Sequence, residues 1–279
     1  MVVLDGQVAV VTGGNSGVGL ATAKLLASVG MKVAIVGRRA AKCKAAADAI
    51  AAAGGEAMAC PADIGDPKAV RRVVREVSAH FGGVDVLINN AGGGGGGRLL
   101  DCTDEQIDTL IKAHVYGPFY CTRECYRVMV QRGRGHVINV ASVAAQWTHA
   151  GEIAYGTAKA AMLKFTHHLR SEFATANKEQ AVKGADGERF FAHVLLPGGI
   201  KTPFWEPFGV DYHKQQWLEP EDVAAVILAI LQHPEQGRPF FEKMFADKAA
   251  HVCSFKAHGD LPHVMALASR SQTKDWKLA

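Results

Sequence analysis

The chain is 279 residues long, with 48% apolar and 21% charged side chains. That composition excludes long disorder and fibrous architectures, and the length is enough to bury a sizeable core. A net charge of +4, from 31 basic and 27 acidic side chains spread along the chain, is too weak and too dispersed for a nucleic-acid surface.

Glycine is the outlier, at 30 residues against 10 prolines, without the three-residue period of collagen. Glycines in such number suit a backbone that approaches something closely. Met1–Val11 has no charged segment followed by a long apolar run, and it reads as a strand rather than a signal peptide. Gln7–Val11 is β-rich and ends at a glycine turn. Gly17–Val29 then carries apolar residues at helical spacing (Val18, Ala21, Leu25, Leu26, Val29). Lys32–Val36 is a second strand, Ala40–Ala53 an alanine-rich helix closed by Gly54-Gly55, and Ala57–Cys60 a third strand. Pro67–Phe81 is a helix, Val84–Ile88 a fourth strand, and Thr103–Arg132 one long helical pattern. Gly135–Val140 is a fifth strand, Glu152–Ala176 a long helix, Phe190–Leu196 a sixth strand, and Pro220–Leu231 the last clear helix.

Apolar strands alternating with helices predict an α/β fold: one Rossmann-type, doubly wound parallel sheet of about seven strands with helices on both faces. No composition break separates domains, so residues 1–279 are read as a single domain. Asn177–Glu188 is polar and glycine-punctuated and is expected to be a surface loop. Residues 255–279 lack periodicity and have the length of a docked tail. Six cysteines (Cys43, Cys60, Cys102, Cys121, Cys125, Cys253) form no CxxC, so reduced thiols in a cytoplasmic protein are expected. Cys121 and Cys125, one helical turn apart, are read as packing. No metal is expected, the dispersed His251, His258 and His263 included. The longest apolar run, Val223–Leu231, is far too short to span a membrane.

Thr12-Gly13-Gly14-Asn15-Ser16-Gly17-Val18-Gly19 lies between the first strand and the first helix. A glycine turn there lets backbone N–H groups reach phosphate oxygens, and a helix N-terminus favours their negative charge. The second strand runs out into Gly37-Arg38-Arg39; an acidic side chain here would bond a ribose 2′-OH, whereas a guanidinium can pair with a 2′-phosphate. Tyr155 and Lys159, four residues apart on a predicted helix, share a face. An ammonium beside a phenol that normally titrates near ~10 is expected to lower that value.

The ordered set TGGNSGVG (12–19), NNAG (89–92), Ser142, Tyr155-x-x-x-Lys159 and Pro197-Gly198 resembles the short-chain dehydrogenase/reductase family, over about residues 5 to 230. The resemblance implies a nicotinamide dinucleotide bound by Gly13, Asn15, Ser16, Gly17, Val18 and Gly19. It further implies that Asp63 and Ile64 lie beside the adenine and that Asn90, Ala91 and Gly92 line its ribose. Pro197, Gly198, Ile200 and Thr202 cap the nicotinamide, and Tyr155 and Lys159 complete the cofactor site. Gly37 stands where NAD-preferring relatives place Asp, so Arg38 and Arg39 favour NADP(H), with NAD(H) left open. As catalytic residues the resemblance implies Ser142 on the substrate oxygen, Tyr155 as acid/base, and Lys159 on the ribose, tuning the tyrosine. His114 occupies the family's Asn position, either as a proton carrier or as a packed helix histidine.

The implied activity is hydride transfer between nicotinamide and a carbonyl or secondary alcohol; a non-catalytic dinucleotide sensor or scaffold is the alternative. Trp147, Phe204, Trp205 and Phe208 are expected to line an apolar pocket, with residues 200–219 as its lid. Relatives assemble through their two long helices, which implies a homodimer or homotetramer. Gly93–Gly97 exceed what the dinucleotide requires and are expected to form a mobile loop beside it. Gly237–Glu242 is the only segment resembling the seventh strand of relatives.

Overall fold

A computed structural model of the chain describes residues 1–148, 150–182, 189–236, 244, 251–253 and 264–268. Among these, eight strands form one sheet. They are β1 (Val8–Thr12), β2 (Lys32–Gly37), β3 (Glu56–Pro61), β4 (Val86–Asn89), β5 (Gly135–Val140), β6 (Phe190–Pro197), β7 (His251–Cys253) and β8 (Val264–Ala268). Their order is β3-β2-β1-β4-β5-β6-β8-β7. All neighbours pair parallel except β7, which runs antiparallel to β8. The doubly wound parallel sheet expected from the alternating pattern is present. The strand order reverses between β1 and β4, and in such sheets ligands bind outside the carboxyl ends at that switch.

The helices are α1 (Gly17–Ser28), α2 (Ala40–Ala52), α3 (Pro67–Phe81), α4 (Asp104–Ile111), α5 (Gly117–Arg132), α6 (Ile153–Val182) and α7 (Pro220–Gln232). Two apolar layers sandwich the sheet. One packs α1, α2 and α7 on Val11, Ile35, Ile88 and Leu195. The other packs α3, α5 and α6 on Val10, Val36, Leu87 and Val137. Strands covered on both faces read as continuous apolar runs, which is why β1 and β5 are buried at every position.

The structure departs from the sequence reading in three places. The helical pattern of 103–132 is not one helix: five residues, Lys112–Tyr116, form a π turn between α4 and α5. The helix expected to end at Ala176 runs on to Val182. The reason is Asn177, the buried first residue of the polar stretch expected to be a surface loop. Its amide oxygen accepts from the N–H groups of Arg189 (3.0 Å) and Phe190 (2.9 Å), and its nitrogen donates to the Phe190 carbonyl (2.9 Å). It therefore ties α6 to the start of β6. Finally, Val264–Ala268, inside the segment without periodicity, is a strand beside β6. The segment Gly237–Glu242 and residues 183–188 lie outside the described residues.

At the amino edge, buried Asp85 holds three elements together. It accepts from the Val8 N–H (3.0 Å), and its carboxylate pairs with Arg132 and Arg134, both at 2.9 Å. Burial alone would raise its pKa, but these donors outweigh burial and hold the carboxyl below its ordinary range.

Candidate active site

All the motifs gather at the opposite, carboxyl edge. The glycine turn leaves β1 with Gly13 N–H donating to the Val36 carbonyl (2.8 Å). A Cβ on Gly19 would run into the Gly13 carbonyl, and one on Gly14 would lie 2.9 Å from the Val11 carbonyl, so only bare backbone fits. Ser16 begins α1 without capping it through its side chain, and no acidic residue lies in the first turn. The first N–H groups of α1 are thus free of a side-chain cap at the switch point, the arrangement that binds a phosphate. These residues fit a dinucleotide.

Thr12, buried at the end of β1, was legible only as part of the motif, yet it fixes the site. Its hydroxyl donates to the Ile88 carbonyl (3.2 Å) and accepts from the N–H groups of Asn90 (2.9 Å) and Ala91 (3.0 Å). The Asn90 amide donates back to the Thr12 carbonyl (3.1 Å). Asn89 bonds Thr122 (3.0 Å) and Asn139 (2.8 Å), and Asn139 bonds Thr166 (2.8 Å), so one polar chain crosses from β4 through β5 to α6. Asn139 had no signal in the sequence.

At the end of β2, a Cβ on Gly37 would lie 2.5 Å from the Asn15 amide nitrogen, which itself points at the Cys43 thiol (3.3 Å). Asn15 therefore fills the space that a side chain at 37 would need. Arg38 and Arg39 are exposed, and neither forms an ion pair among the described residues. Asp63, exposed after β3, accepts from the Gly65 N–H (2.8 Å), while Ile64 is buried against Gly117. Gly198 is anchored by its N–H to the Leu267 carbonyl of β8 (2.7 Å). Buried Thr202 packs on the phosphate turn: a Cβ on Gly17 would lie 3.2 Å from its methyl. The two ends of the expected cofactor site thus touch.

Ser142 leaves β5 and caps a short turn, Val143–Ala145, accepting from the Ala144 N–H (3.2 Å). Tyr155 lies in the first turn of α6, hydrogen-bonded to Ser142. Lys159, one turn on and buried, donates to the Val140 carbonyl (3.0 Å) and sits 5.6 Å from the Tyr155 ring centre. Burial pushes the Tyr155 phenol up to about 12; the Ser142 bond opposes this and Glu152 adds to it. Burial pulls Lys159 down to about 7. The expected lowering of the tyrosine by the ammonium is therefore reversed in the free protein, because desolvation disfavours the charged form of both groups.

His114 stands at the middle of the π turn, 1% exposed. Its ring meets Tyr155 edge-on, with centres 5.5 Å apart. Its Nε2 lies 2.8 Å from the Gly93 carbonyl. Burial, then the Lys159 charge, bring it down to about 3 against the weaker pull of the Gly93 bond. It is neutral near pH 7 and packed within the helical stretch. The start of the glycine tract runs between the His114 ring and the rings of Phe204 and Phe208. A Cβ on Gly92 would collide with the His114 ring, and one on Gly94 would lie 2.6 Å from Phe204 and 2.7 Å from Phe208.

The aromatic residues meet around Tyr155. Phe204 lies 5.9 Å from Tyr155, 5.1 Å from Trp205 and 5.9 Å from Phe208 between ring centres, and Trp205 lies 4.6 Å from Trp217. Tyr212 stacks on His213 instead (4.2 Å). Trp147 is half-buried on the turn after Ser142, its N–H on the Val143 carbonyl (2.8 Å). Among the described residues no His/Cys/Asp/Glu group could hold a metal, and no helix is long and apolar enough to cross a membrane.

A doubly wound sheet with a glycine turn at its switch point, and a Ser–Tyr–Lys set at the same edge, defines a Rossmann-type oxidoreductase. The short chain dehydrogenase family profile matches residues 7–208. A short chain dehydrogenase of Pseudocercospora fijiensis is 36% identical over 73% of this chain, though the match spans only 63% of that relative. A 3-oxoacyl-[acyl-carrier-protein] reductase of Synechocystis is 32% identical over 84% of this chain and 92% of the relative. Among solved structures, a short chain dehydrogenase from Burkholderia cenocepacia in complex with NADP has a TM-score of 0.72 at 30% identity, over 82% of this chain and 91% of that one. A 3-ketoacyl-(acyl-carrier-protein) reductase from Brucella melitensis complexed with NADH has a TM-score of 0.72 at 28% identity, over 81% and 91%. The chain belongs to the short-chain dehydrogenase/reductase family of oxidoreductases.

Proposed function

We propose that this protein is an NADP(H)-dependent carbonyl reductase in which Tyr155 delivers the proton. The observation that carries this reading is the placement of Tyr155: half-buried, bonded to Ser142, 5.6 Å from the Lys159 ammonium between ring centre and nitrogen, with its phenol pushed up rather than down. A phenol that keeps its hydrogen at neutral pH is a donor, the role a carbonyl oxygen requires as it becomes an alcohol. Gly13 to Gly19 would hold the pyrophosphate, Thr202 and Ile200 the nicotinamide, and Lys159 the ribose beside it. When bound, the reduced nicotinamide supplies the hydride. Ser142 holds the substrate oxygen and shares it with the Tyr155 hydroxyl, which gives up its proton as that oxygen gains charge. Phe204 and Trp205 shield the site from water.

NADP(H) over NAD(H) is supported by the exposed Arg38 and Arg39, neither ion-paired among the described residues, and by the Asn15-filled space at Gly37. The reading also takes residues 1–279 as one domain, working in the cytoplasm as a homodimer or homotetramer. Cytoplasmic work accords with free thiols at Cys43, Cys60, Cys102, Cys121 and Cys125.

The test follows absorbance of reduced cofactor over a panel of ketones. Tyr155→Phe should lower kcat by about a thousandfold while NADPH still binds, and wild-type kcat/KM should be higher with NADPH than with NADH. Near-normal turnover by Tyr155→Phe would overturn the proton role. Tight NADPH binding with no turnover on any ketone would establish the sensor instead.

A further inference from the structure

In a doubly wound sheet, a side chain at the end of β2 meets the adenine ribose of a dinucleotide, and an acid there bonds the 2′-OH. This chain has no side chain at that point, since the residue is Gly37. Gly37 is not among the positive-φ glycines, so its backbone conformation would admit another residue. The obstacle is Asn15, from the phosphate turn. A Cβ on Gly37 would lie 2.5 Å from the Asn15 Nδ2, 3.0 Å from its Cγ and 3.3 Å from its Oδ1. The amide ends a short side chain, and Cys43 of α2 holds it in place. The buried thiol accepts from Nδ2 (3.3 Å) and donates to the Gly37 carbonyl (3.4 Å). One sulfur therefore joins the turn, the strand end and the helix. Asn15 is still part-exposed, and Arg38 and Arg39 are exposed, so the corner is open to a ligand from outside. The Arg39 charge acts on the Cys43 thiol, which puts that guanidinium at the same corner.

We propose that position 15, and not position 37, decides whether this protein takes a dinucleotide with a 2′-phosphate or one with a free 2′-hydroxyl. The Asn15 amide stands in the place that a side chain on β2 would fill, and it stands there without charge. It leaves Arg38 and Arg39 free to attract a phosphate, and it can donate to that phosphate through the Nδ2 hydrogen that Cys43 does not take. A carboxylate at the same position would do the reverse, accepting from a 2′-OH and repelling a phosphate. The proposal rests on the NADP(H) reading above for the direction of the wild-type preference, and on the geometry of Asn15, Gly37 and Cys43 for the position that sets it.

The probes are adenosine 2′,5′-bisphosphate and adenosine 5′-monophosphate, titrated into the intact protein in a calorimeter, so that binding is read without turnover. The wild type should bind the bisphosphate more tightly. Asn15→Asp keeps the size of the side chain and should lower the affinity ratio, bisphosphate over monophosphate, by at least about tenfold, a modest figure for a carboxylate set beside a phosphate. Gly37→Asp alone should weaken both probes alike, because the new side chain pushes Asn15 out of the turn. Gly37→Asp/Asn15→Gly, with that space cleared, should move the ratio toward the monophosphate as Asn15→Asp does. The ratio of kcat/KM for NADPH over NADH should follow the same order. An unchanged ratio in Asn15→Asp overturns the proposal, and so does a full switch by Gly37→Asp alone. Should Asn15→Asp fail to fold, the Gly37→Asp pair decides: a switch in the double variant only supports the proposal, and equal ratios in the two overturn it. Equal binding of both probes by the wild type overturns the NADP(H) preference alone, since the shift made at Asn15 is still read.

Discussion

At the residue scale the site is governed by desolvation. Tyr155 keeps its proton and Lys159 is brought down to about 7, so the titrating group of the free site near neutrality is the lysine. Its ammonium exists below about pH 7 and is lost above it. For reduction, kcat/KM reports the free enzyme, and it should fall as pH rises through that value. Lys159→Met should be far slower and show no such limb. A wild-type profile that stays flat between about pH 6 and 8 would show that Lys159 does not titrate in the working site. His114 takes no part in this window, being neutral throughout it. Its residue type alone could not say so, because an imidazole titrates near neutrality until burial moves it.

At the element scale, the proposed assembly has a candidate face where the π turn runs into α5. Tyr116 and Phe119 are nearly half exposed, and Phe119 stacks on Phe165 of α6 with centres 4.2 Å apart. Tyr120 and Arg123 continue the stripe. Aromatic and arginine side chains are what interfaces concentrate, so a copy of this chain pairing through α5 and α6 fits them. Phe119→Asp should convert an oligomer to monomer, read by light scattering; a monomeric wild type would sink the assembly. Elements were legible where their signals are local. Pro67–Phe81 matches α3 to the residue, because Asp66 accepts from the Lys68 N–H and Gly82 ends the helix in a left-handed conformation. Gly135–Val140 matches β5 in the same way. The extension of α6 was hidden, since the bond that needs it runs from Asn177 to Phe190. The strand at Val264–Ala268 was hidden as well, because its pairing lies with β6, some seventy residues earlier. The Ser–Tyr–Lys set could be read from motif order; the partners of the glycine strip, His114 and Phe204, could not, since only folding brings them together.

For the whole molecule, acid is the weakness. His136 on β5 is buried, its Nε2 2.9 Å from Nδ1 of His193 on β6, and burial brings it down to about 3, as it does His114. The folded pKa lies below the unfolded value of 6.5, so the stability each contributes is complete above 6.5 and is lost as pH falls toward 3. At about pH 5 each costs about 2 kcal/mol relative to neutral conditions. The unfolding free energy from urea titration should therefore drop steeply from about pH 7 to 5, and the drop should be smaller by that amount in His136→Gln. An equal drop in the variant would rule this histidine out.

The π turn of Lys112–Tyr116 has a consequence for how the protein can vary. Its Gly117 N–H bonds the Lys112 carbonyl, five residues back, so the chain after it is out of phase by one residue, or about 100° of rotation. Losing a residue within the turn would restore an unbroken α-helix with better hydrogen-bond geometry, yet it would swing His114 off Gly93 and detach the strip beside Tyr155. Losing one from α5 instead would leave the strip in place and rotate Cys121 and Cys125 out of the core. The two halves of this helical stretch thus resist length changes for different reasons, and a variant shortened at the turn would be regular in backbone but would lose the His114–Gly93 contact.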